Sequence, residues 1–287
     1  MSDWSVDVDR IQRRIAELGE IGRTDDGGVT CLAYSETENE AFAYLRDEIP
    51  DAYDVKTDQM GNVFATPDPD AEHSLYMGSH LDTVRNGGRF DGRMGVVMAL
   101  EAMQAVDESD EEPAMPPTLA VLRAEETARF NVGLIGSRGA LGLLEEKQLE
   151  ARDEDGVSLR EAMDELGFRP PEYGEPTIDV DRVAGFVESH IEQGPILDTE
   201  GVPVGIVTEI RGILRDRVTV RGLPNHSGAT PMEQRRDAVA GAAEMVDAVE
   251  TIGREASREG DLVATVGYID VPDASANKVS GEATFPI

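Results

Sequence analysis

Apolar residues at Val8, Ile11, Ile15 and Leu18 recur at helical spacing, and Gly19 and Gly22 mark where the period ends, so a helix over 6–21 starts the chain. A second helix is predicted over 38–49, closed by Pro50, followed by a hairpin over 53–65 that turns at Met60-Gly61-Asn62. Short apolar strands then alternate with helical runs: strands at 74–79, 118–124 and 183–191, helices at 93–106 and 135–144. That alternation predicts an α/β fold, with a mixed sheet layered between helices. Around Gly212 the texture changes to a strand at 213–221, an Ala-rich amphipathic helix at 235–252 and a strand at 262–271. Residues 282–287 read as a strand cut short. The second period and its own turns place a domain boundary near 208–212, giving units 1–210 and 211–287.

The charge narrows the classes of function. The 287 residues carry 58 Asp plus Glu against 26 Lys plus Arg, a formal charge of −32. Such a chain is repelled by phosphate backbones and anionic headgroups, and no basic patch offsets this, so nucleic-acid and membrane-surface roles are excluded. Disorder is excluded too: removing Tyr from the 40% hydrophobic residues and adding Gly gives roughly 48%, inside the globular band of ~45–50%. Lys56, Lys147 and Lys278 are the only lysines, and the acids are spread along the whole chain. A dispersed, lysine-poor acidic surface suits concentrated salt, where screening to ~3 Å at 1 M removes self-repulsion. The one low-complexity segment is the acidic loop at 107–112, ended by Pro116-Pro117. A single cysteine, Cys31, a start without basic leader or apolar core, and no run near ~18 apolar residues predict a halophilic, cytoplasmic chain.

With so many carboxylates, the four histidines are the guide to chemistry. His80 ends the strand at 74–79 in Gly78-Ser-His-Leu-Asp-Thr83, where a period of two aims His80 and Asp82 at one face. This fits a metal ligand with an orienting carboxylate, and equally a capped strand end. Asp91, before the helix at 93–106, is either an N-cap or a carboxylate shared by two ions. Glu125 and Glu126 follow a strand directly, where one could ligate while its neighbour acts as general base. His190 stands at another strand end, in Glu188-Ser-His-Ile-Glu-Gln-Gly-Pro195. Together these N and O donors suit zinc, cobalt or manganese, and the alternative is a set of unrelated polar strand ends. His73 lies in an acidic loop and reads as solvated.

Five ordered stretches then resemble one family: Gly78-Ser-His-Leu-Asp-Thr-Val84, Gly87-Gly-Arg-Phe-Asp-Gly92, Glu125-Glu126 with Arg129-Phe130, His190-Ile-Glu-Gln-Gly-Pro195 and Pro224-Asn-His-Ser-Gly-Ala-Thr-Pro-Met232. They are similar to the amidase/carbamoylase branch of the di-metal aminoacylase and peptidase (M20-type) family. That branch includes N-carbamoyl-L-amino-acid hydrolases, ureidopropionases and allantoate amidohydrolases. The resemblance implies a di-metal exopeptidase-like catalytic domain with an incomplete α+β lid and dimerisation domain. It makes His80 and His190 ligands of one ion, Asp91 the bridging carboxylate, Glu126 a ligand of a second ion, and Glu125 the base, with Asp82 in the catalytic set. It implies up to two divalent ions, zinc ahead of manganese or cobalt, and a homodimer formed through the lid. His226 takes the place of the lid histidine that stabilises the oxyanion, Asn277 that of an asparagine at the substrate's carboxylate end, and Gln193 that of a substrate contact.

Two departures stand out. Thr127-Ala128 replaces the family's Gly-Ser after the paired glutamates, which alters a turn and removes no ligand. The family also continues past Pro286-Ile287 with a substrate-binding arginine and a last metal-ligating histidine, neither of which this sequence contains. The implied function is metal-dependent hydrolysis of a linear amide or ureido C–N bond, most directly in an N-carbamoyl-L-amino acid or related ureide. The competing expectations are an inactive or split-chain fragment of such an enzyme, and a family exopeptidase or deacylase.

Overall fold

The computed structural model describes residues 4–109, 112–210, 212–258, 260 and 262–287. Residues 110–111 of the acidic loop and Arg211 at the expected domain boundary lie outside the described residues. The chain divides into two compact units, Met1–Glu200 and Gly201–Ile287.

In the first unit α1 (Val8–Glu20) starts on Asp7, whose carboxylate accepts the Arg10 N–H, and α2 (Glu36–Glu48) starts on Ser35, which accepts the Glu38 N–H. The hairpin follows as β1 (Asp54–Thr57) and β2 (Val63–Thr66), paired antiparallel across a turn that Gly61 completes at φ +82°. Next come β3 (Ser74–His80), α3 (Arg93–Asp107), β4 (Pro117–Leu122), the short helices α4 (Ile135–Ala140), α5 (Glu146–Leu149) and α6 (Leu159–Glu165), then β5 (Val183–Val187) and α7 (Ile196–Glu200). Strand order is β1-β2-β4-β3-β5. The first two pairings are antiparallel, and β3 runs parallel to both β4 and β5, so the sheet is mixed.

Alternation of strand and helix is what forces the parallel half, because each crossover helix must return the chain to the same edge. α3 makes the main crossover. Val96, Leu100 and Met103 on α3 are fully buried with Leu119 and Val121 of β4. Burying each such side chain stabilises the fold by about 1.5–3 kcal/mol. As a consequence the carboxyl ends of β3, β4 and β5 share one edge, where open α/β sheets keep their sites.

The second unit contains β6 (Arg217–Arg221), β7 (Asn225–His226), α8 (Ala238–Ala256), β8 (Lys278–Val279) and β9 (Glu282–Pro286). β6 pairs antiparallel with β9, and β7 with β8. Its core is small, centred on Ala238, Ala242, Ala283 and Phe285. Expectation and structure part at several points. The helix predicted to reach residue 144 stops at Ala140, where Gly142 turns the chain at φ +70°. The strand predicted to reach 191 leaves its ladder at Val187, and that predicted from 213 starts at Arg217. Residues 262–271, expected as a strand, form no ladder among the described residues beyond the isolated bridge Asp270 to Thr284. Alternation supplies a strand's two faces, and hydrogen bonds to a neighbour make it one.

Candidate metal centre

Three side chains from separate segments converge at the parallel edge. His80 closes β3, Asp91 precedes α3, and His190 follows β5 by three residues. One ligand atom from each lies within 4.8 Å of the others. His190 Nε2 is 3.0 Å from Asp91 Oδ1. Both rings are anchored alike: Nδ1 of His80 lies 3.0 Å from the Asp82 carbonyl oxygen and Nδ1 of His190 lies 2.8 Å from that of Ile191. A carbonyl at Nδ1 holds a proton there and leaves Nε2 as the nitrogen that would ligate once a cation displaces any proton on it, which is the preparation a metal-ligating imidazole needs. Two such nitrogens and a carboxylate oxygen suit zinc, manganese or cobalt, so the donor set fits a divalent ion.

The two histidines differ in surroundings. His80 is buried, against the fully buried Asp82, whereas His190 is about one-third exposed (35%). Burial alone would lower the His80 pKa, but the hydrogen bond and charge of Asp82 together with Glu125 outweigh it and raise it to about 9. Gly92 explains how Asp91 comes so close. Its backbone stands at φ +64°, and a Cβ there would lie 2.4 Å from Cε1 and 2.5 Å from both nitrogens of the His80 ring. Only glycine meets both conditions.

Glu125 and Glu126 leave β4 through a tight turn. Glu125 Oε2 lies 3.7 Å from His80 Nε2, on the ligand side of the ring. Burial pushes the carboxyls of both glutamates up, against the pull of His80. Glu126, expected to ligate a second ion, is not one of the three converging groups. Asp82 does more than orient His80. Its Oδ1 accepts the Glu125 N–H at 3.1 Å and its Oδ2 the Glu126 N–H at 2.9 Å, so one carboxylate joins the histidine to the paired glutamates. Gln193, expected to contact substrate, here donates its amide to Asp91 Oδ2 at 2.7 Å from a left-handed backbone, φ +57°.

Sequence reasoning missed two contacts. Ser79 Oγ donates a short hydrogen bond to Glu188 Oε1, tying the ends of β3 and β5 together just before each histidine. Both residues lie within the quoted motifs, one and two positions before a histidine, and that adjacency was the available signal. The other is Arg123, buried under the glutamate turn and paired with Glu38 at 2.7 Å.

In the second unit the motif at 224–232 and Asn277 meet. His226 pairs with Lys278 across β7 and β8, and the Asn277 carbonyl accepts the Ser227 N–H at 3.0 Å. The His226 ring is exposed, its Nδ1 accepting the Gly228 N–H at 3.1 Å.

Comparison with known proteins agrees with this geometry. The profile of peptidase family M20/M25/M40 matches residues 76–272. The N-carbamoyl-L-amino acid amidohydrolase of Geobacillus stearothermophilus is 39% identical over 284 residues, covering 96% of this chain and 68% of that protein. The allantoate amidohydrolase of Bacillus subtilis is 36% identical over 276 residues, covering 94% and 66%. Among solved structures, a hydantoinase/carbamoylase family amidase from Burkholderia ambifaria superposes with a TM-score of 0.80 at 33% identity, covering 99% of this chain and 69% of that one. The chain belongs to peptidase family M20/M25/M40.

Proposed function

We propose that this chain is a metal-dependent amidohydrolase that cleaves the ureido C–N bond of an N-carbamoyl-L-amino acid or a closely related ureide. The observation that carries the reading is the convergence of His80, Asp91 and His190 within 4.8 Å, with Glu125 beside His80. Relatives named as carbamoyl-amino-acid and allantoate amidohydrolases support the ureide over an exopeptidase or deacylase substrate, and an active enzyme over an inert fragment.

His80, Asp91 and His190 would hold the first ion, and Asp91 and Glu126 would serve a second. A bound divalent cation supplies Lewis acidity to the carbonyl and lowers the pKa of water. Glu125, its carboxyl raised by burial, takes a proton from the attacking water as the C–O bond forms, and returns it to the leaving nitrogen as the C–N bond breaks. Asp82 holds the backbone that carries this base. His226 is assigned to the oxyanion and Asn277 to the substrate's carboxylate, in a homodimer formed through the second unit, which serves as the lid. Zinc is the first choice of ion, and a salt-rich cytoplasm is the proposed setting. Among the described residues no helix is long and apolar enough to cross a membrane.

The test has two arms. Metal analysis of the protein purified in high salt should find bound transition metal that His80→Ala loses. Glu125→Gln should keep that metal and lower turnover of N-carbamoyl-L-amino acids by roughly 10²–10⁴-fold. Wild-type turnover in Glu125→Gln, or a chain that takes up no metal, defeats the proposal.

A further inference from the structure

Beneath the glutamate turn lies a buried ion pair outside the group of converging ligands. Glu38 is fully buried on the first turn of α2, and Arg123 is buried at the end of β4. Arg123 Nη1 meets Glu38 Oε2 at 2.7 Å, its Nη2 donates to Asn39 Oδ1 at 2.8 Å, and its Nε donates to the Gly61 carbonyl at 2.9 Å. The rings of Phe42 and Phe168 contact the guanidinium, 3.9 and 4.7 Å from their centroids. A glutamate at this helical position ordinarily reaches back to the N-cap N–H. Here it turns inward. Its Oε2 accepts the Tyr34 N–H at 2.8 Å, and its Oε1 accepts the Ala124 N–H at 3.3 Å.

Ala124 is the residue that needs holding. It stands at φ +53°, a left-handed conformation that a non-glycine residue keeps only where its surroundings determine it. From Arg123 to Glu126 the backbone is bonded on both sides. Asn62 Oδ1, Glu38 and the two oxygens of Asp82 take the successive N–H groups. The carbonyls of Arg123, Ala124 and Glu125 accept from Gly136, Ile135 and Leu134. Buried ion pairs are poor stabilisers, because desolvation consumes the Coulomb gain, so stability gives little reason to keep one here.

We infer that the Glu38–Arg123 pair is a positioning lock, which holds Ala124 left-handed so that Glu125 enters the site at working distance from the ligands. The inference rests on the proposed role of Glu125. Glu38 and Arg123 are both buried and lie outside the converging group of His80, Asp91 and His190, so their effect passes through the turn.

The decisive variant replaces both partners with apolar residues, Glu38→Leu with Arg123→Met, which strands no buried charge. In the metal-loaded chain we expect a melting temperature close to wild type and zinc affinity at the triad, by calorimetric titration, within about threefold. Amide hydrogen exchange across 124–126 should be about tenfold faster or more, with the β3 and α3 amides unchanged. Turnover should fall roughly ten- to a hundredfold while KM stays within about twofold, as a misplaced base predicts. If the double variant does not fold, Glu38→Gln, which keeps the shape and removes the charge, is read by the same measurements. A folded variant with wild-type exchange at 124–126 overturns the lock. The exchange result needs no turnover, so it still decides the lock if Glu125→Gln shows that Glu125 is not the base.

Discussion

The seam of α1 with α2 and α3 and the parallel edge of the sheet both carry acidic residues, and they treat them in opposite ways. At the seam the buried Glu101 and the half-buried Glu48 each have arginine partners. Glu101, fully buried, takes Arg10 Nε at 2.6 Å, Arg14 Nη1 at 3.4 Å and the Asp7 N–H at 2.6 Å, while Glu48 takes Arg14 Nε at 2.8 Å and Arg13 Nη2 at 2.7 Å. At the edge, Glu125 and Glu126 have no arginine or lysine partner among the described residues. The arginine hydrogen bonds pull Glu48 down to about 2, whereas burial pushes both edge glutamates up. In a chain of 58 acids the partner, more than the carboxylate, separates structure from chemistry. The seam acids are neutralised within the chain, and the two edge glutamates left without a cation are ones that a metal and a substrate would satisfy.

The contrast fails if the seam proves dispensable to stability or essential to chemistry. Glu101→Ala takes from Arg10 its Nε partner, from the Asp7 N–H its acceptor and from Arg14, only 3% exposed, its 3.4 Å contact. Glu48 still holds Arg14 Nε at 2.8 Å and Glu108 holds Arg10 Nη1 at 2.7 Å. Breaking one side of a buried pair costs about 3–5 kcal/mol, and the carboxylates that Arg10 and Arg14 keep put the loss at the lower end, about 3 kcal/mol. Denaturant melts should show that loss, with turnover per folded molecule unchanged. The matching change at the edge is Gly92→Ala, which combines a left-handed backbone with a Cβ 2.4 Å from the His80 ring. Strain and overpacking predict a loss of about 1–3 kcal/mol. Unlike the seam variant it should also abolish calorimetric metal binding, because relief requires His80 to move.

These contrasts also mark how far the sequence could be read. The period of Val8, Ile11, Ile15 and Leu18 locates α1, yet gives no hint that Arg14 is buried, since a charge on an apolar face reads as a surface position until its partner is known. Glu101 lies 87 residues away, and no local pattern links the two. His80, Asp91 and His190 stood out as candidates because each lies beside a strand end or Gly turn, and the family resemblance then joined them into one ligand set, which the parallel edge brings together. The amide of Gln193 on Asp91, the reach of Asp82 to two backbone N–H groups and the pairing of Arg123 with Glu38 were not legible. Each depends on distances between segments dozens of residues apart, and in an acidic background a pattern cannot single out the one glutamate that faces inward.

A smaller effect separates orientation from charge within the edge itself. Asp82→Asn keeps the size of the side chain but offers one acceptor oxygen where Glu125 and Glu126 require two, and it removes the negative charge beside His80. Losing such a supporting carboxylate typically costs 10–100-fold in metal affinity. Zinc titration should show a loss in that range, about 1.4–2.7 kcal/mol, with far-UV circular dichroism unchanged. Wild-type affinity would mean that the anchoring carbonyl of Asp82, which the variant retains, is sufficient to hold His80.

The smallest effect belongs to Glu48, and its sign tests the seam directly. Its carboxyl is held at about 2, below the ordinary 4.5, first by the Arg13 hydrogen bond and then, against burial, by that of Arg14. A depressed folded-state value means that folding favours the ionised form, so the contribution is fully present above pH 4.5 and disappears as pH falls through about 2. Arg13 is nearly half exposed, which screens its share and reduces the gain to about 1 kcal/mol. The stability of wild type minus that of Glu48→Gln should therefore be flat near neutral pH, narrow between pH 4.5 and 2, and close at the acid end. Glu125 has the opposite sign: its raised carboxyl is a burden when ionised, so Glu125→Gln should match or exceed wild-type stability at neutral pH. Equal losses from both variants would mean that the seam and the edge use their acids alike.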